Sequence, residues 1–257
     1  MFEGLRAEQR LGVSMFVTVG YPHLDDTPAI VEALVGAGTD FIELGVPFSD
    51  PLAEGRSVQG SSQRALRNGV NVGFCLETAR SCRARVDVPL ILMGYINPIL
   101  AYGLERFCAD AAAAGVDGLI VADLSMEEAD TIHLACQEAG LDLILFIAPT
   151  STEERQRTVA RLATGFIYCI SVTGVTGSRE TVADGVDGML QGIRALTDTP
   201  LALGFGISRP EHLEQLKGKV DAAIVGSALV DHITEEDPAG SAAAFVRTLK
   251  GGAAVGS

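Results

Sequence analysis

Two glutamates stand near each other in the chain, in surroundings that suit acid–base chemistry. Glu43 interrupts a short apolar run that begins with Phe41-Ile42, and Glu54 lies in the following loop, which Pro47 and Pro51 stiffen. An acid inside an apolar strand is costly to keep without a purpose. One carboxyl on a strand and one on the next loop would converge on a small molecule. The alternative is that Glu43 is a hydrogen-bonded core acid and Glu54 a solvated charge.

The elements that would position these acids are eight short apolar runs, which we predict to be strands. The runs are continuous rather than alternating, which is typical of a parallel sheet covered on both faces. Helical patterns separate them, and eight βα units in about 250 residues predict a single (β/α)8 TIM barrel, with one domain over residues 1–257. The predicted strands are Ser14 to Val19, Phe41 to Leu44, Leu90 to Met93, Gly118 to Ala122, Leu141 to Ile147, Phe166 to Ile170, Leu201 to Gly204 and Ala222 to Val225.

A doubly wound open sheet is the alternative fold. Its first βα turn would carry the pattern Gly-x-Gly-x-x-Gly, whereas this chain has Val19-Gly20-Tyr21-Pro22 there. Helix signals fit either fold: we predict Thr27 as the N-cap of a helix over Pro28 to Gly38, and a capping box of Ser125 and Glu128 before a helix over Met126 to Ala139. Further helices are predicted over Leu104 to Ala114, Thr152 to Ala163 and Arg209 to Leu216.

In a barrel the reactive groups lie at the carboxyl ends of the strands. Glycine-rich turns follow the seventh and eighth predicted strands, at Gly204 to Ser208 and at Gly226 to Ala228. Free backbone N–H groups there predict a phosphate site. The segment Ser171 to Arg179, rich in glycine and small hydroxyl residues, is predicted to be a closing lid.

We expect neither a reactive lysine nor a metal site at this mouth. Lys217 and Lys219 flank the turn before the eighth strand and Lys250 lies in the last helix, so no lysine is placed to form a Schiff base at the mouth. The four histidines are scattered, without metal-ligand spacing, and we predict no metal site. General acid–base catalysis is therefore expected. The candidate acids are Glu43, Asp50, Glu54 and Asp123.

Composition narrows the function classes further. The formal net charge of −14 argues against binding nucleic acid or anionic membranes. Five dispersed cysteines without a Cys-x-x-Cys pair indicate reduced thiols and a cytoplasmic protein. The first residues contain no apolar signal region and no apolar run is long enough to span a membrane, so neither feature is expected.

The motifs, taken together, resemble the tryptophan synthase alpha subunit family over nearly the whole chain. The segment Glu43 to Ala53 is similar to the family's signature, and shorter matches follow in the family's order. The resemblance implies a barrel that splits indole-3-glycerol phosphate into indole and glyceraldehyde 3-phosphate. The shorter matches are Phe16 to Thr18, Tyr95 to Pro98, Val121 to Leu124, Gly174 to Gly177, Gly204 to Ser208 and Gly226 to Ala228.

The resemblance also implies roles for single residues. Glu43 would be the acid/base at the ring carbon being cleaved, Glu54 the second catalytic carboxylate, and Thr176 would close the lid. Phe16, Tyr168 and Phe205 would line the indole pocket, and Tyr95 and Asp123 would also contact substrate. Gly177, Gly206, Gly226 and Ser227 would hold the phosphate. No cofactor of its own is implied: pyridoxal phosphate would belong to a beta subunit docked at the loop from Pro47 to Pro51.

Three positions depart from the family pattern. The family has aspartate at position 54, proline at position 56 and usually proline at position 125, where this chain has Glu54, Arg56 and Ser125. The extra methylene of Glu54 matters because a displacement of about 1 Å at a catalytic group can cost about 100-fold in rate. Two alternatives therefore stay open: a related barrel lyase with a changed phosphorylated substrate, and a weakly active regulatory partner of a beta subunit.

Overall fold

A computed structural model describes residues 1–52, 54–170, 179–204 and 206–251, with only the backbone described for residues 179–185. Eight strands alternate with helices along this part of the chain. The strands are β1 Gly12–Thr18, β2 Phe41–Gly45, β3 Leu90–Gly94, β4 Gly118–Val121, β5 Asp142–Ile147, β6 Ile167–Ile170, β7 Leu201–Gly204 and β8 Ala222–Val225. The helices are α1 Phe2–Ala7, α2 Thr27–Gly36, α3 Arg56–Arg67, α4 Val72–Arg83, α5 Ile96–Tyr102, α6 Leu104–Ala113, α7 Met126–Ala139, α8 Glu153–Leu162, α9 Arg179–Arg194, α10 Pro210–Leu216, α11 Ser227–His232 and α12 Pro238–Leu249.

The strands pair in chain order and close into a barrel. Each pairs in parallel with the next, and β1 pairs with β8 through Gly12 and Ala222. Parallel neighbours need a crossover, and the intervening helices supply it. The predicted (β/α)8 barrel is thus confirmed, and the doubly wound sheet is wrong because that sheet would stay open. The single domain over residues 1–257 stays a prediction, since residues 252–257 lie outside the described part.

Alternation along the strands divides the apolar core into two clusters. Phe41 belongs to the cluster inside the barrel, and Ile42 belongs to the cluster between the strands and the surrounding helices. Successive side chains of a strand point to opposite faces, so Glu43 points inward like Phe41. A carboxyl in this position is costly to bury.

Two glycines let aromatic rings lie across the mouth of the barrel. A Cβ on Gly45, the last residue of β2, would lie 2.4 Å from Cζ of Phe16. A Cβ on Gly204, the last residue of β7, would lie 2.8 Å from the hydroxyl of Tyr168. No side chain fits at either distance, so glycine at these strand ends makes room for Phe16 and Tyr168.

The other end of the barrel is closed by ion pairs and by α1. Asp221 accepts hydrogen bonds from Arg6, Arg194 and the backbone N–H of Leu201. Burial acts to raise the pKa of Asp221, but the hydrogen bonds from Arg6, Leu201 and Arg194 together hold this pKa below its usual value. Phe2 packs against the rings of Phe41 and Phe166.

The lysines lie away from the mouth, as predicted. Lys217 and Lys219 precede β8, and Lys250 follows α12 and donates a hydrogen bond to the carbonyl of Gly38.

Most helix limits match the sequence prediction, with one correction at α2. The helix starts at Thr27 itself, and its N-cap is Asp26. The Thr27 hydroxyl instead accepts a hydrogen bond from the N–H of Gly20, which ties α2 to the turn after β1. The Ser125 cap is confirmed, since its hydroxyl accepts from the N–H of Glu128. In the described residues, no helix has the length and apolar character needed to cross a membrane.

Candidate active site

A cavity of about 370 Å³ opens at the carboxyl ends of the strands. Both glutamates that the sequence analysis singled out line it, together with apolar side chains and glycine turns. The lining is Phe16, Glu43, Glu54, Val58, Met93, Ala122, Phe146, Tyr168, Ile170, Gly204, Gly206, Ile207, Ile224, Gly226, Ser227, Ala228 and Asp231. No lysine, arginine or histidine belongs to this lining, as far as the described residues show.

Glu43 is fully buried in the barrel interior. The Ser14 hydroxyl donates a hydrogen bond to its Oε1 over 3.4 Å, and Oε2 has no hydrogen-bond partner among the described residues. Burial raises the pKa of Glu43 to about 8, the Ser14 hydrogen bond opposes that rise, and the charge of Glu54 adds to it. Near neutral pH Glu43 is therefore largely protonated, which is the form a general acid needs.

Glu54 reaches the cavity from the loop between β2 and α3. Its backbone is held at both sides, because its N–H bonds the carbonyl of Pro51 and its carbonyl accepts from the side-chain amide of Gln59. Burial raises the pKa of Glu54 to about 7. Arg56 begins α3, is exposed and makes no ion pair with Glu54 in the described part of the chain, so it does not hold Glu54 ionised.

The walls around the two acids are apolar and aromatic. Phe16 lies at the mouth, and the rings of Phe146 and Tyr168 pack 4.8 Å apart between centroids. Burial raises the pKa of Tyr168 well above its usual value, and the charges of Glu43 and Glu54 add to this, so the phenol stays neutral. A flat aromatic substrate would fit such walls.

The turns after β7 and β8 form the opposite side of the cavity. Gly206, Gly226 and Ser227 all line it. Gly206 has a φ of +57°, a conformation that favours glycine, and Gly226 is the N-cap of α11, which Ser227 begins. The described lining contains no cation, so an anion bound here would have to rely on N–H and O–H donors.

Two predicted substrate contacts lie outside the cavity lining. Tyr95 stacks on Phe48 with ring centroids 5.0 Å apart, and this contact faces the loop after β2. Asp123 is exposed, and its Oδ1 accepts the N–H of Ile96 at the start of α5. Neither side chain belongs to the cavity lining, and the contacts of Tyr95 and Asp123 with substrate stay predictions. Thr176, Gly177 and Phe205 lie outside the described residues.

Several lining residues were missed by the sequence analysis. Ala122 and Phe146 come from the ends of β4 and β5, and Met93 from β3. Strand alternation contains the necessary signal, because every second residue of a barrel strand points inward. Ser14 was also missed: it does not line the cavity, but it lies two residues before Phe16 on β1, so both side chains point inward.

The sequence analysis also predicts that the chain has no metal site. Within residues 1–52, 54–170, 179–204 and 206–251 no group of three or more metal-ligating side chains comes together. The histidines are engaged elsewhere: His212 accepts the N–H of Ser208, and His23 contacts Asp26. The described residues therefore offer acid–base groups at the mouth and no metal ligand set.

Comparison with known proteins places the chain in one family. The family model described as "Tryptophan synthase alpha chain" matches residues 2–251. The tryptophan synthase alpha chain of Solibacter usitatus is 48% identical, over 98% of this chain and 96% of that one. That of Chloroflexus aurantiacus is 47% identical, over 96% of this chain and 95% of the relative.

Solved structures give the same result. A crystal structure of tryptophan synthase from M. tuberculosis in an aminoacrylate-bound form superposes with a TM-score of 0.88 at 33% identity, covering 97% of this chain and 96% of that one. Tryptophan synthase subunit alpha from Legionella pneumophila superposes with a TM-score of 0.88 at 34% identity, covering 97% and 95%. Since the family model and the relatives each span nearly the whole chain, the protein belongs to the tryptophan synthase alpha chain family.

Proposed function

We propose that Glu43 and Glu54 together carry the lyase reaction of this family. The observation that supports the proposal is the placement of two carboxyls with raised pKa values on one apolar cavity. As a tryptophan synthase alpha chain, the protein cleaves indole-3-glycerol phosphate to indole and glyceraldehyde 3-phosphate in tryptophan biosynthesis. Each of the two glutamates has its own step in that reaction.

Glu43 acts first as the general acid. Its proton goes to the ring carbon that carries the glycerol chain, and the ring loses its aromaticity. The adjacent hydroxyl of the chain then gives up its proton as the carbon–carbon bond breaks, and a carbonyl forms on the departing glyceraldehyde phosphate. The bond electrons return to the ring and restore indole. The carboxylate that Glu43 has become after giving up its proton accepts the hydroxyl proton. Glu43 thereby returns to its protonated starting state.

Glu54 accepts a hydrogen bond from the ring N–H of the indole group. Protonation of the ring carbon places positive charge on the nitrogen, and a carboxylate that accepts its N–H stabilises that charge. The pKa of Glu54, raised by burial to about 7, leaves a substantial carboxylate fraction at neutral pH. Glu43 protonated and Glu54 ionised is the pair of states that the reaction requires, and the higher pKa of Glu43 favours that order.

The rest of the substrate fits the remaining walls. Phe16, Phe146 and Tyr168 would enclose the indole ring. The phosphate would lie against Gly206, Gly226 and Ser227, whose backbone N–H groups and hydroxyl are donors. Thr176 and Gly177 complete this proposal as a lid and a phosphate contact, on the family resemblance alone.

A beta subunit is the proposed partner, and it would supply pyridoxal phosphate, while this chain needs no cofactor of its own. The loop from Pro47 to Pro51 is the proposed docking element. It leads into Leu52, which is 90% exposed, and Leu100 on α5 is 50% exposed. Apolar side chains exposed to that degree would be covered in a complex. We also propose a cytosolic location, which five free, buried cysteines support.

The docking proposal has a direct test. Leu52→Asp should weaken the binding of a tryptophan synthase beta subunit, as measured by titration calorimetry. Leu134→Asp is the matched control, because Leu134 is 54% exposed on α7, away from the loop. Equal affinities for both variants and the unmodified chain would show that the loop is not part of the interface.

The catalytic proposal is tested by indole release from indole-3-glycerol phosphate, with and without a beta subunit. Glu43→Gln keeps the shape and removes proton transfer, so kcat should fall about 100- to 10,000-fold. Glu138→Gln is the control, since Glu138 is exposed on α7. A Glu43→Gln variant that folds and turns over normally would reject the mechanism. No indole release by the unmodified chain would favour a changed substrate, and release only as activation of the beta subunit would favour a regulatory partner.

A further inference from the structure

Ser14 is a polar residue in an apolar part of the barrel interior. It lies in the middle of β1 and is fully buried. Its register neighbours are Phe41 on β2 and Ile224 on β8, and both are apolar. A hydroxyl buried there without a hydrogen bond would be unfavourable, because it would lose its bonds to water. The contact described for the Ser14 hydroxyl is the hydrogen bond to Oε1 of Glu43.

This contact makes the two carboxyl oxygens of Glu43 different from each other. Ser14 approaches Oε1, and Oε2 has no described hydrogen-bond partner although it is buried. Glu43 also lines the cavity at the mouth. A carboxyl held at one oxygen by a fixed donor presents the other oxygen in a defined direction, and proton transfer is sensitive to that direction.

We propose that Ser14 is a positioning residue for Glu43, which holds Oε1 and stabilises the carboxylate that remains after Glu43 has given up its proton. The inference rests on the proposed role of Glu43 as the acid/base. Ser14 itself does not reach the substrate, because Phe16 and not Ser14 lines the cavity on β1. Its effect on the reaction passes through Glu43.

The charge balance around Glu43 makes such a donor useful. Glu54 and Tyr168 are the titratable groups that interact with Glu43, and Asp231 lines the same cavity. Glu54 disfavours a negative charge on Glu43, Tyr168 is neutral, and the described lining contains no cation. Burial raises the pKa of Glu43, and Ser14 is the group that opposes the rise. Without it Glu43 would hold its proton more tightly and donate it less readily.

The test compares four variants of the full chain with the unmodified protein. Ser14→Ala removes the hydroxyl, and Ser14→Cys keeps the volume with a much weaker donor. Ser14→Thr keeps the hydroxyl and is compatible with a strand. Ser62→Ala is the control, because Ser62 is also a buried serine, on α3 and outside the cavity lining.

Two quantities are measured. The first is the pKa of Glu43 from the pH dependence of its carboxyl ¹³C chemical shift, assigned by comparison with Glu43→Gln. The second is kcat and KM for indole release as a function of pH. At 3.4 Å the hydrogen bond from Ser14 to Glu43 is long, so we expect its loss to have a moderate effect. Ser14→Ala and Ser14→Cys should raise the pKa of Glu43 and lower kcat about 3- to 30-fold, with KM within about twofold.

The control results separate this inference from the proposed function. Ser14→Thr should keep most of the activity, and Ser62→Ala should match the unmodified chain. If Ser14→Ala and Ser14→Cys leave the pKa of Glu43 and kcat unchanged, or change only KM, the positioning role is rejected. If Glu43→Gln is fully active, the proposed function fails instead, and the chemical-shift titration still decides whether Ser14 lowers the pKa of Glu43.

Discussion

Glu43 and Glu54 line the same cavity, and the negative charge of Glu54 adds to burial in raising the pKa of Glu43. They reach it from different elements, Glu43 from inside β2 and Glu54 from the loop that follows. The protonation of Glu43 therefore depends on the charge of Glu54, and a change at Glu54 should also be detectable at Glu43.

Replacing Glu54 by glutamine should change Glu43 as well as the reaction. Glu54→Gln removes the charge at the ring nitrogen, and kcat should fall about 100- to 1,000-fold, as for loss of an electrostatic stabiliser. The pKa of Glu43 should fall, because a repelling charge is gone. Indole release and the carboxyl ¹³C titration measure the two effects. Unreduced indole release would reject the role assigned to Glu54.

The extra methylene of Glu54 has its own test. Hydrogen bonds to Pro51 and Gln59 fix the Glu54 backbone, and Arg56 starts α3 directly after Gly55. If the loop is adapted to glutamate, Glu54→Asp alone should lower kcat by about 10- to 100-fold, and only Glu54→Asp with Arg56→Pro should restore it. We expect this outcome because both positions differ from the family pattern within one short loop. A higher kcat for Glu54→Asp alone would show that the loop is not adapted.

The buried acid should also make stability depend on pH. The pKa of Glu43 rises from 4.5 to about 8 on folding, so between these values the folded state binds more protons than the unfolded state. The free energy of unfolding contributed by Glu43 is therefore fully present below pH 4.5 and falls as the pH rises towards 8. Glu43→Gln should be more stable than the unmodified chain by about 2–4 kcal/mol at pH 8.5, and similar to it at pH 4.5.

Urea unfolding at the two pH values measures this difference. Glu138→Gln is the control, because the Glu138 side chain is exposed. Equal pH dependence for Glu43→Gln and the unmodified chain would mean that Glu43 is ionised in the folded state at neutral pH.

Because Phe16 lies so close to Gly45, a side chain at position 45 should weaken substrate binding. A Cβ on Gly45 would lie 2.4 Å from Cζ of Phe16, so Gly45→Ala must displace the ring. We expect a loss of about 1–3 kcal/mol in the free energy of unfolding. KM should rise about tenfold, since about 1.4 kcal/mol of lost contact corresponds to that factor. Gly60→Ala is the control, because nothing lies within 4 Å of a Cβ there; an equal KM for both variants would exclude Phe16 from the substrate wall.

The phosphate site is predicted to depend on glycines rather than on basic side chains. Gly206→Leu and Gly226→Leu should each weaken binding of glycerol 3-phosphate about tenfold or more, measured by titration calorimetry, because a side chain would cover the donors. Gly218→Leu is the control for Gly206→Leu: Gly218 has a φ of +76° and Gly206 a φ of +57°, so the backbone strain is similar, but Gly218 precedes β8 at the closed end. Unchanged affinity in both mouth variants would move the phosphate elsewhere.

The eight strands, their separation by helices and the inward direction of Glu43 were predictable from the sequence, because they follow from local patterns. Continuous apolar runs separated by helices lead to a parallel sheet, and alternation within β2 places Glu43 on the face of Phe41. The glycine turns at Gly206 and Gly226 were predictable for the same reason, since their positions after β7 and β8 determine where they lie in a barrel.

Contacts between residues far apart in the chain were decided only by the tertiary structure. Tyr95 turns to stack on Phe48, and Asp123 bonds the start of α5, although both stand at strand ends where a pocket residue is expected. The reason is that a loop residue can satisfy its polar groups in several directions, and packing selects one of them. The hydrogen bond from Ser14 to Glu43 likewise depends on the pairing of β1 with β2, which brings together residues far apart in the chain.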